Sequence, residues 1–434
     1  MTVSSEQLPG TGTERGAPVR GVRRIAAALY GYSFFEEFVL LYPVYALLFS
    51  DTGLGLWQIS SLFALWSLAN VLFEVPSGVW ADMVSRKRLL QLGPLLTGTG
   101  FALWVLFPSY WAFALGFVLW GAGGAFGSGA LEALVYEELD RVGAADRYAR
   151  LMGRARAAGL VAVMAATALA GPAFAGGGYL LVGAASVATC VLTSAFATAL
   201  PEHRRAKAAA PAQLNAADTL AEAEAEAEEK AEAESEEKAE AGWAATLRAG
   251  VFEARHDKAV RFAVLLVPAV TGVWGALDEY TPLLVRDTGV APGTEPQLLL
   301  LIWAGATAGG LLAGPAQRLG ARGLAALLAV SAVALGVGSA LGTPAAIALV
   351  ALAFGGFQLG QVLVDARLQD SITGDSRATV TSLAGVGTEA VTLSVFGLYA
   401  VFGTAAGHGT AFALLALPYL AAAAALSRRG RRRQ

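Results

Sequence analysis

Long apolar runs recur along the chain, separated by short polar or glycine-rich breaks. Crossing the roughly 30 Å hydrocarbon core of a bilayer takes about 20 residues of helix. Twelve runs approach that length, at about 24–49, 57–80, 88–107, 110–136, 150–175, 178–200, 259–285, 296–317, 323–342, 344–366, 378–403 and 408–427. The pattern predicts an all-α polytopic membrane protein with twelve transmembrane helices. Runs 3 and 4 are parted by Pro108 and Ser109, and runs 5 and 6 by the Gly176 to Gly178 triplet, so tight turns are expected there. Residues 201–257 form the one long polar segment and divide the runs six and six. The expected organisation is a polar tail (1–23), a six-helix bundle (24–200), an acidic linker (201–257), a second six-helix bundle (258–427) and a basic tail (428–434).

Composition agrees with a membrane solvent. Hydrophobic residues make up 56% of the 434 and charged ones 15%, against about 25% charged in soluble domains. Basic residues mark one side of the membrane. Placing the N-terminus inside puts 30 of the 31 Lys and Arg on the cytoplasmic side, with only Arg286 outside. Both termini and the linker are then cytoplasmic, in the cell membrane. The first run is too long for a signal peptide and carries Glu36 and Glu37, so it is expected to be retained. One cysteine, Cys190, rules out an internal disulfide, and three scattered histidines form no metal-ligand pattern. No nucleophile–base pairing and no phosphate-binding glycine loop is present, so neither an enzyme nor an ATP-driven pump is expected, and no cofactor or metal. The Ala/Glu repeat within 221–240 reads as a solvated semi-rigid spacer; docking of a basic partner is the alternative.

The stretch Phe73 to Arg88 ends one run and starts the next across a very short loop. Gly78, Asp82 and Arg86 follow each other at four-residue steps, on one helical face. Three consecutive cations, Arg86 to Arg88, place the loop in the cytoplasm. The pattern G-x-x-x-D-x-x-[GS]-R-[KR] resembles the signature loop between helices 2 and 3 of the major facilitator superfamily (MFS), and Gly78, Asp82, Arg86 and Lys87 fit it. Ser85 stands where that family usually has Gly. The resemblance implies two pseudo-symmetric six-helix halves that rock about a midplane site. Helices 1, 4, 7 and 10 would line the central cavity. The loop would act as a cytoplasmic gate, with Asp82 facing the N-terminus of helix 11 and Arg86 facing an acid such as Glu138 at the foot of helix 4.

The halves also echo each other. Helix 1 carries Glu36-Glu37-Phe38 before Pro43; helix 7 carries Asp278-Glu279-Tyr280 before Pro282. Gly314, Arg318 and Arg322 repeat the four-residue steps of the gate, with Arg where the first copy has Asp82.

Acids inside the runs are few: Glu36, Glu37, Glu74, Glu132, Asp278, Glu279, Asp365 and Glu389. Each costs about 2.5–3.5 kcal/mol at the bilayer centre, so each should face protein or water. Glu36 and Glu37 lie twelve and thirteen residues past Arg24, about 18–20 Å in at roughly 1.5 Å per residue, near the midplane. Neighbouring residues point about 100° apart, so one of the two is the better cavity acid; Glu37 is favoured, with Glu36 left open. Glu389 is also near mid-depth, and Asp278 and Glu279 lie toward the outside. The bland alternative for any one acid is a buried carboxyl with a hydroxyl or amide partner. Tyr30, Phe34 and Trp274 are candidate π-rich walls for a lipophilic or cationic ligand, with simple packing as the alternative. In helix 5, Gly171-Pro172-Ala173-Phe174-Ala175-Gly176 resembles the G-P-x-x-G-G element of the superfamily's proton-coupled antiporters. Ala175 and Thr167 depart from it, and a plain helix kink would use the same residues.

The expected function is a secondary transporter, a monomer in the lipid bilayer, exporting a small, lipophilic or cationic organic molecule against protons. An importer or uniporter of the same fold and a non-transporting sensor are the alternatives; no nucleic-acid partner is expected.

Overall fold

The computed structural model describes residues 16–83, 85–127, 129–203, 257–291, 293–372 and 377–432, without the side chains of 16–20, 74–83, 259, 377–378 and 429–432. Most of the linker, the side chains of Glu74, Gly78 and Asp82, and most of both tails therefore lie outside the described residues.

Among the described residues the regular elements are helices. They are α1 (Gly16–Glu37), α2 (Tyr45–Asp51), α3 (Leu56–Met83), α4 (Arg86–Leu106), α5 (Tyr110–Gly127), α6 (Ala130–Arg141) and α7 (Tyr148–Ala199), then α8 (Lys258–Asp278), α9 (Thr281–Asp287), α10 (Glu295–Leu311), α11 (Ala313–Ala316), α12 (Ala321–Leu341), α13 (Ile347–Ser371), α14 (Arg377–Leu415) and α15 (Leu417–Arg432). Eight stretches of helix among them are long and apolar enough to cross a membrane. Two of the eight are double. α7 has 52 residues and turns at Gly177 and Gly178 (φ 58°, ψ −153°); α14 has 39 residues and turns at Gly407 (φ 81°, ψ 168°). Only glycine enters these conformations at little cost. The outer surface matches a lipid solvent, with Trp111 and Leu311 each 78% exposed.

Five expected helices are broken: 296–317 is interrupted at Leu312, 408–427 at Ala416, and three others at a proline or glycine. The first run is not continuous over 24–49: α1 begins earlier, at Gly16, stops at Glu37, and the chain resumes helix at Tyr45. Pro43 lies in the gap, lacks an N–H and clashes with a preceding turn, which stops a helix from running through it. The seventh breaks between Asp278 and Thr281, with Pro282 in the first turn of α9, the position where proline is tolerated. The fourth is α5 and α6, parted at Gly129, whose φ is 71°.

The chain divides into two compact units, Met1–His203 with Val290–Leu300, and Arg204–Gly289 with Leu301–Gln434. In the first, α1 packs on α7, α4 packs on α5 and α7, and α3 packs on α5. Small residues permit this closeness: a Cβ on Gly93 of α4 would lie 2.6 Å from the carbonyl oxygen of Gly123 in α5. An aromatic cluster fills the same core, with Trp104 fully buried and its Nε1 donating to the Phe113 carbonyl at 3.1 Å. In the second unit α8 packs on α13 and α14, and α12 on α13 and α15.

Candidate functional site

Glu36 and Glu37 end α1 side by side, and the structure separates them. Glu37 is half-buried and turns toward α7: a Cβ on Gly159 would sit 3.2 Å from its Cγ. Glu36 is exposed, with Oε1 within reach of the Gly127 face of α5, where the Tyr32 hydroxyl also lies. Of the two, Glu36 is the more exposed. The roughly 100° step between neighbours carries Glu37 into the α1–α7 contact. The Tyr32 hydroxyl and Glu36 Oε1 lie 3.9 Å and 4.0 Å from a Cβ built on Gly127, and Tyr32, Glu37 and Glu132 are near enough to Glu36 to interact with it electrostatically. Glu132 lies in the first turn of α6. The break at Gly129 starts a new helix there, and a helix N-terminus favours a carboxylate by about 0.3–1 kcal/mol. Three carboxylates and a buried tyrosine therefore meet within the first unit. Sequence reading found the acids but not the closeness of Glu132 to Glu36. The signal it lacked was the break, for which the glycine run up to Gly129 is the trace.

Beside this cluster, Phe34 stacks on Phe38 with ring centres 5.4 Å apart, and is half-buried. Tyr30 is half-buried, and its hydroxyl is enclosed with no hydrogen-bond partner among the described residues, as is the Trp66 indole N–H. Leaving a buried donor unsatisfied costs about 1–3 kcal/mol. Tyr42 and Tyr45, by contrast, pack into the aromatic core against Trp120 and Trp104.

In the second unit Asp278, Glu279, Glu389 and Asp365 are all half-buried. Trp274, also half-buried, is held by α13: its Nε1 donates to Gln361 Oε1 at 3.1 Å, and its ring meets Phe354 edge-on at 5.8 Å. Gln361 sits one turn before Asp365. α14 is drawn close to α8, since a Cβ on Gly272 would lie 2.9 Å from the Thr388 carbonyl oxygen. That places Thr388 and its neighbour Glu389 beside the α8 helix that carries Trp274 and Asp278.

The loop after α3 is a capped and bridged structure. Ser85 is the N-cap of α4 in extended conformation, accepting from Arg88 N at 3.2 Å. The Ser85 hydroxyl donates to the Glu202 carboxylate, which also accepts from Lys87 N at 3.4 Å. A residue far away in sequence thus completes the cap that satisfies the first amides of α4. This explains serine where the family pattern has glycine: the hydroxyl bridges two partners. Arg86 pairs with Glu137 at 2.5 Å, not with Glu138 as expected. The Glu137 side chain is 62% exposed, whereas that of Glu138 is 4% exposed and already occupied. Glu138 accepts from Arg141 Nε at 3.2 Å and from His203 N at 2.7 Å, and lies 3.0 Å from His203 Nδ1. Glu202 and His203, which close the first unit just before the acidic segment, were not anticipated; their distance in sequence from Ser85 and Glu138 hid them.

Gly171 of the helix-5 element has a steric role. A Cβ there would lie 2.8 Å from the Gly293 carbonyl oxygen and 2.8 Å from Gln297 Nε2, within the same unit. The turn at 293 is fixed in its turn by Glu295, whose carboxylate accepts from Gly293 N at 2.6 Å. Pro172 follows inside α7.

Repeated long apolar helices, a few acids set within them and a bridged basic loop define an integral membrane protein. The Major Facilitator Superfamily model matches residues 26–395, and the chain belongs to that family. No curated protein matches the sequence. Its fold is similar to that of solved transporters. The nucleoside transporter NupG superposes with TM-score 0.64 at 15% identity, covering 93% of this chain and 98% of that one. A D-xylose-proton symporter gives 0.65 at 12%, covering 94% and 97%. The POT family transporter PepTSo gives 0.62 at 15%, covering 95% and 98%. At such identities the likeness is one of fold.

Proposed function

We propose that this protein is a proton-coupled exporter of a small organic molecule, crossing the cell membrane twelve times with both termini and the acidic segment in the cytoplasm. The observation that carries the reading is the closeness of Glu36 to Tyr32, Glu37 and Glu132 beside the break between α1 and α2. Carboxylates crowded in an apolar setting cannot all stay ionised, so they exchange protons readily. Glu36, the accessible member, is the proton carrier in this reading. The enclosed Tyr30 hydroxyl and Trp66 N–H are donors for acceptor atoms of the substrate, and Phe34 offers an apolar face. In the second unit Asp278, Glu279 and Glu389 position the cargo, with Trp274 and Asp365 beside them. The two acid groups favour a cationic or neutral lipophilic substrate over an anion. The protein acts as a monomer and uses the proton gradient in place of a cofactor.

Export rests on the helix-5 element, where Gly171 admits the 293 turn. Its departures at Thr167 and Ala175 favour the second reading, a proton-coupled importer of the same fold. The gate is formed by Gly78, Asp82 and Arg86, with Glu138 anchoring the foot of α6. The experiment is transport in proteoliposomes under an imposed pH gradient, with cationic and neutral lipophiles as cargo. Uphill movement opposite to the proton flow supports export. Movement with the protons selects the importer, and movement indifferent to the gradient refutes both.

A further inference from the structure

At one end of the second unit, the last turn of α9, the last turn of α12 and the Gly407 turn inside α14 leave a recess of about 330 Å³. It is near the small end of the roughly 300–1,000 Å³ range of small-molecule sites. Its polar wall consists of Asp287, Thr288, Ser339, His408 and Thr410. None of these belongs to the acid groups described above.

The wall accepts hydrogen bonds more than it donates them. The Thr288 hydroxyl donates to the Val285 carbonyl at 2.7 Å, and the Ser339 hydroxyl to the Gly336 carbonyl at 3.3 Å. Both hydroxyl protons are committed to backbone, so the oxygens present lone pairs. Asp287 is exposed and brings a carboxylate. Two helices, α9 and α12, end at the recess, and each C-terminus carries about half a negative charge. The opposing feature is the helical segment that restarts after Gly407, whose first N–H groups and His408 lie on the same wall. The imidazole is tied to Tyr399: Nδ1 and the hydroxyl are 2.6 Å apart, and Tyr399 is fully buried. Among the lining groups one carboxylate and two helix C-termini outweigh one N-terminus, and Arg286, beside Asp287 in α9, stands outside the lining.

The recess is also rigid. α12 is capped by Gly342 at φ 58°, and a Cβ on Gly409 would sit 2.5 Å from the Ser339 carbonyl oxygen. A metal centre does not fit, because among the described residues no three His, Cys, Asp or Glu side chains group together. No aromatic box that would suit a quaternary ammonium lines it either.

We propose that this recess binds a primary ammonium group, with Asp287 as counter-ion and the Thr288 and Ser339 hydroxyl oxygens accepting its N–H bonds. The group belongs either to a free small amine or to a phosphatidylethanolamine headgroup, which share this chemistry. The test is calorimetric titration of the full chain in phosphatidylcholine nanodiscs with ethanolamine, choline and calcium. Saturable ethanolamine binding is expected, at least about tenfold tighter than choline, which has no N–H, and calcium should not compete. Asp287→Asn, at an exposed position, should weaken ethanolamine by at least about tenfold, the ratio that 1.4 kcal/mol separates, while Glu36→Gln leaves it unchanged. Repeating the titration with phosphatidylethanolamine in the nanodisc identifies the source: competition assigns the headgroup, an unchanged isotherm the free amine. Absence of saturable binding, equal binding of choline, or an unaffected Asp287→Asn variant overturns the proposal.

Discussion

In the first unit the helix carrying Glu36 and Glu37 stops at Glu37 and resumes at Tyr45; in the second, the helix ends at Asp278 and resumes at Thr281. The sequence motif is the same, two acids, an aromatic and a proline, but the proline stands further off in the first copy. The wider gap leaves Glu36 accessible and brings it beside Glu132, which a second break at Gly129 has placed at a helix start. The corresponding helix of the second unit, α13, runs unbroken from Ile347 to Ser371 and offers Gln361 to Trp274 instead of a carboxylate to the acids. Two breaks concentrate charge in the first unit; one break and an intact helix leave the second unit's acids dispersed among polar and aromatic partners. The comparison teaches that duplicated halves of similar pattern can diverge in role through where helices stop.

The basic loops diverge too. In the first unit the cation is on the loop and the acid on the helix foot, Arg86 to Glu137. In the second the cation is on the helix: Arg367 of α13 donates to the Leu319 carbonyl of the loop at 2.6 Å. Where the first unit has an ion pair, the second has a cation–carbonyl bond, which needs no acid on the partner.

The largest effect that would sharpen the contrast is expected at Gly171. A valine there meets the Gly293 carbonyl, so Gly171→Val should abolish transport while the protein still inserts, measured by flux per folded molecule. Next, if the Arg86–Glu137 pair is specific to the first unit, Arg86→Glu should depress transport several-fold and Glu137→Arg in the same chain should restore part of it. Independent, additive losses would break that half of the comparison. Removing the buried anchor, Glu138→Gln, should loosen His203 and raise proteolytic cutting just after residue 203, at a cost of about 1 kcal/mol, because the Arg141 and His203 side chains are half-exposed and water takes up the lost contacts. Last comes Ser85→Ala, which loses an N-cap and should lower stability by about 1 kcal/mol, read as a shift of the denaturation midpoint; a larger loss would credit the Glu202 bridge.

Much of the architecture was legible because the bilayer imposes one length on every helix, and the glycine turns at 177–178 and 407 were visible as gaps between apolar runs. The helix breaks at 38–44 and at Gly129 were not, since apolar residues continue across them and hydropathy does not register φ. The acids were legible as costly residues in apolar runs. Their partners were not: the break at Gly129 that starts the helix of Glu132 near Glu36 leaves no mark in hydropathy. Arg86 was offered two adjacent acids, and only burial decided against Glu138. Ser85 and Glu202 are joined by the fold alone.

The central claim, that proton coupling belongs to the first unit's cluster, is tested most directly by proton-coupled flux in proteoliposomes carrying Glu36→Gln beside Asp278→Asn. Glu36→Gln is predicted to remove gradient-driven uphill transport while downhill exchange of cargo continues, and Asp278→Asn to weaken cargo affinity while keeping the response to the gradient. Retained uphill transport in Glu36→Gln, or its loss only in Asp278→Asn, would contradict the account.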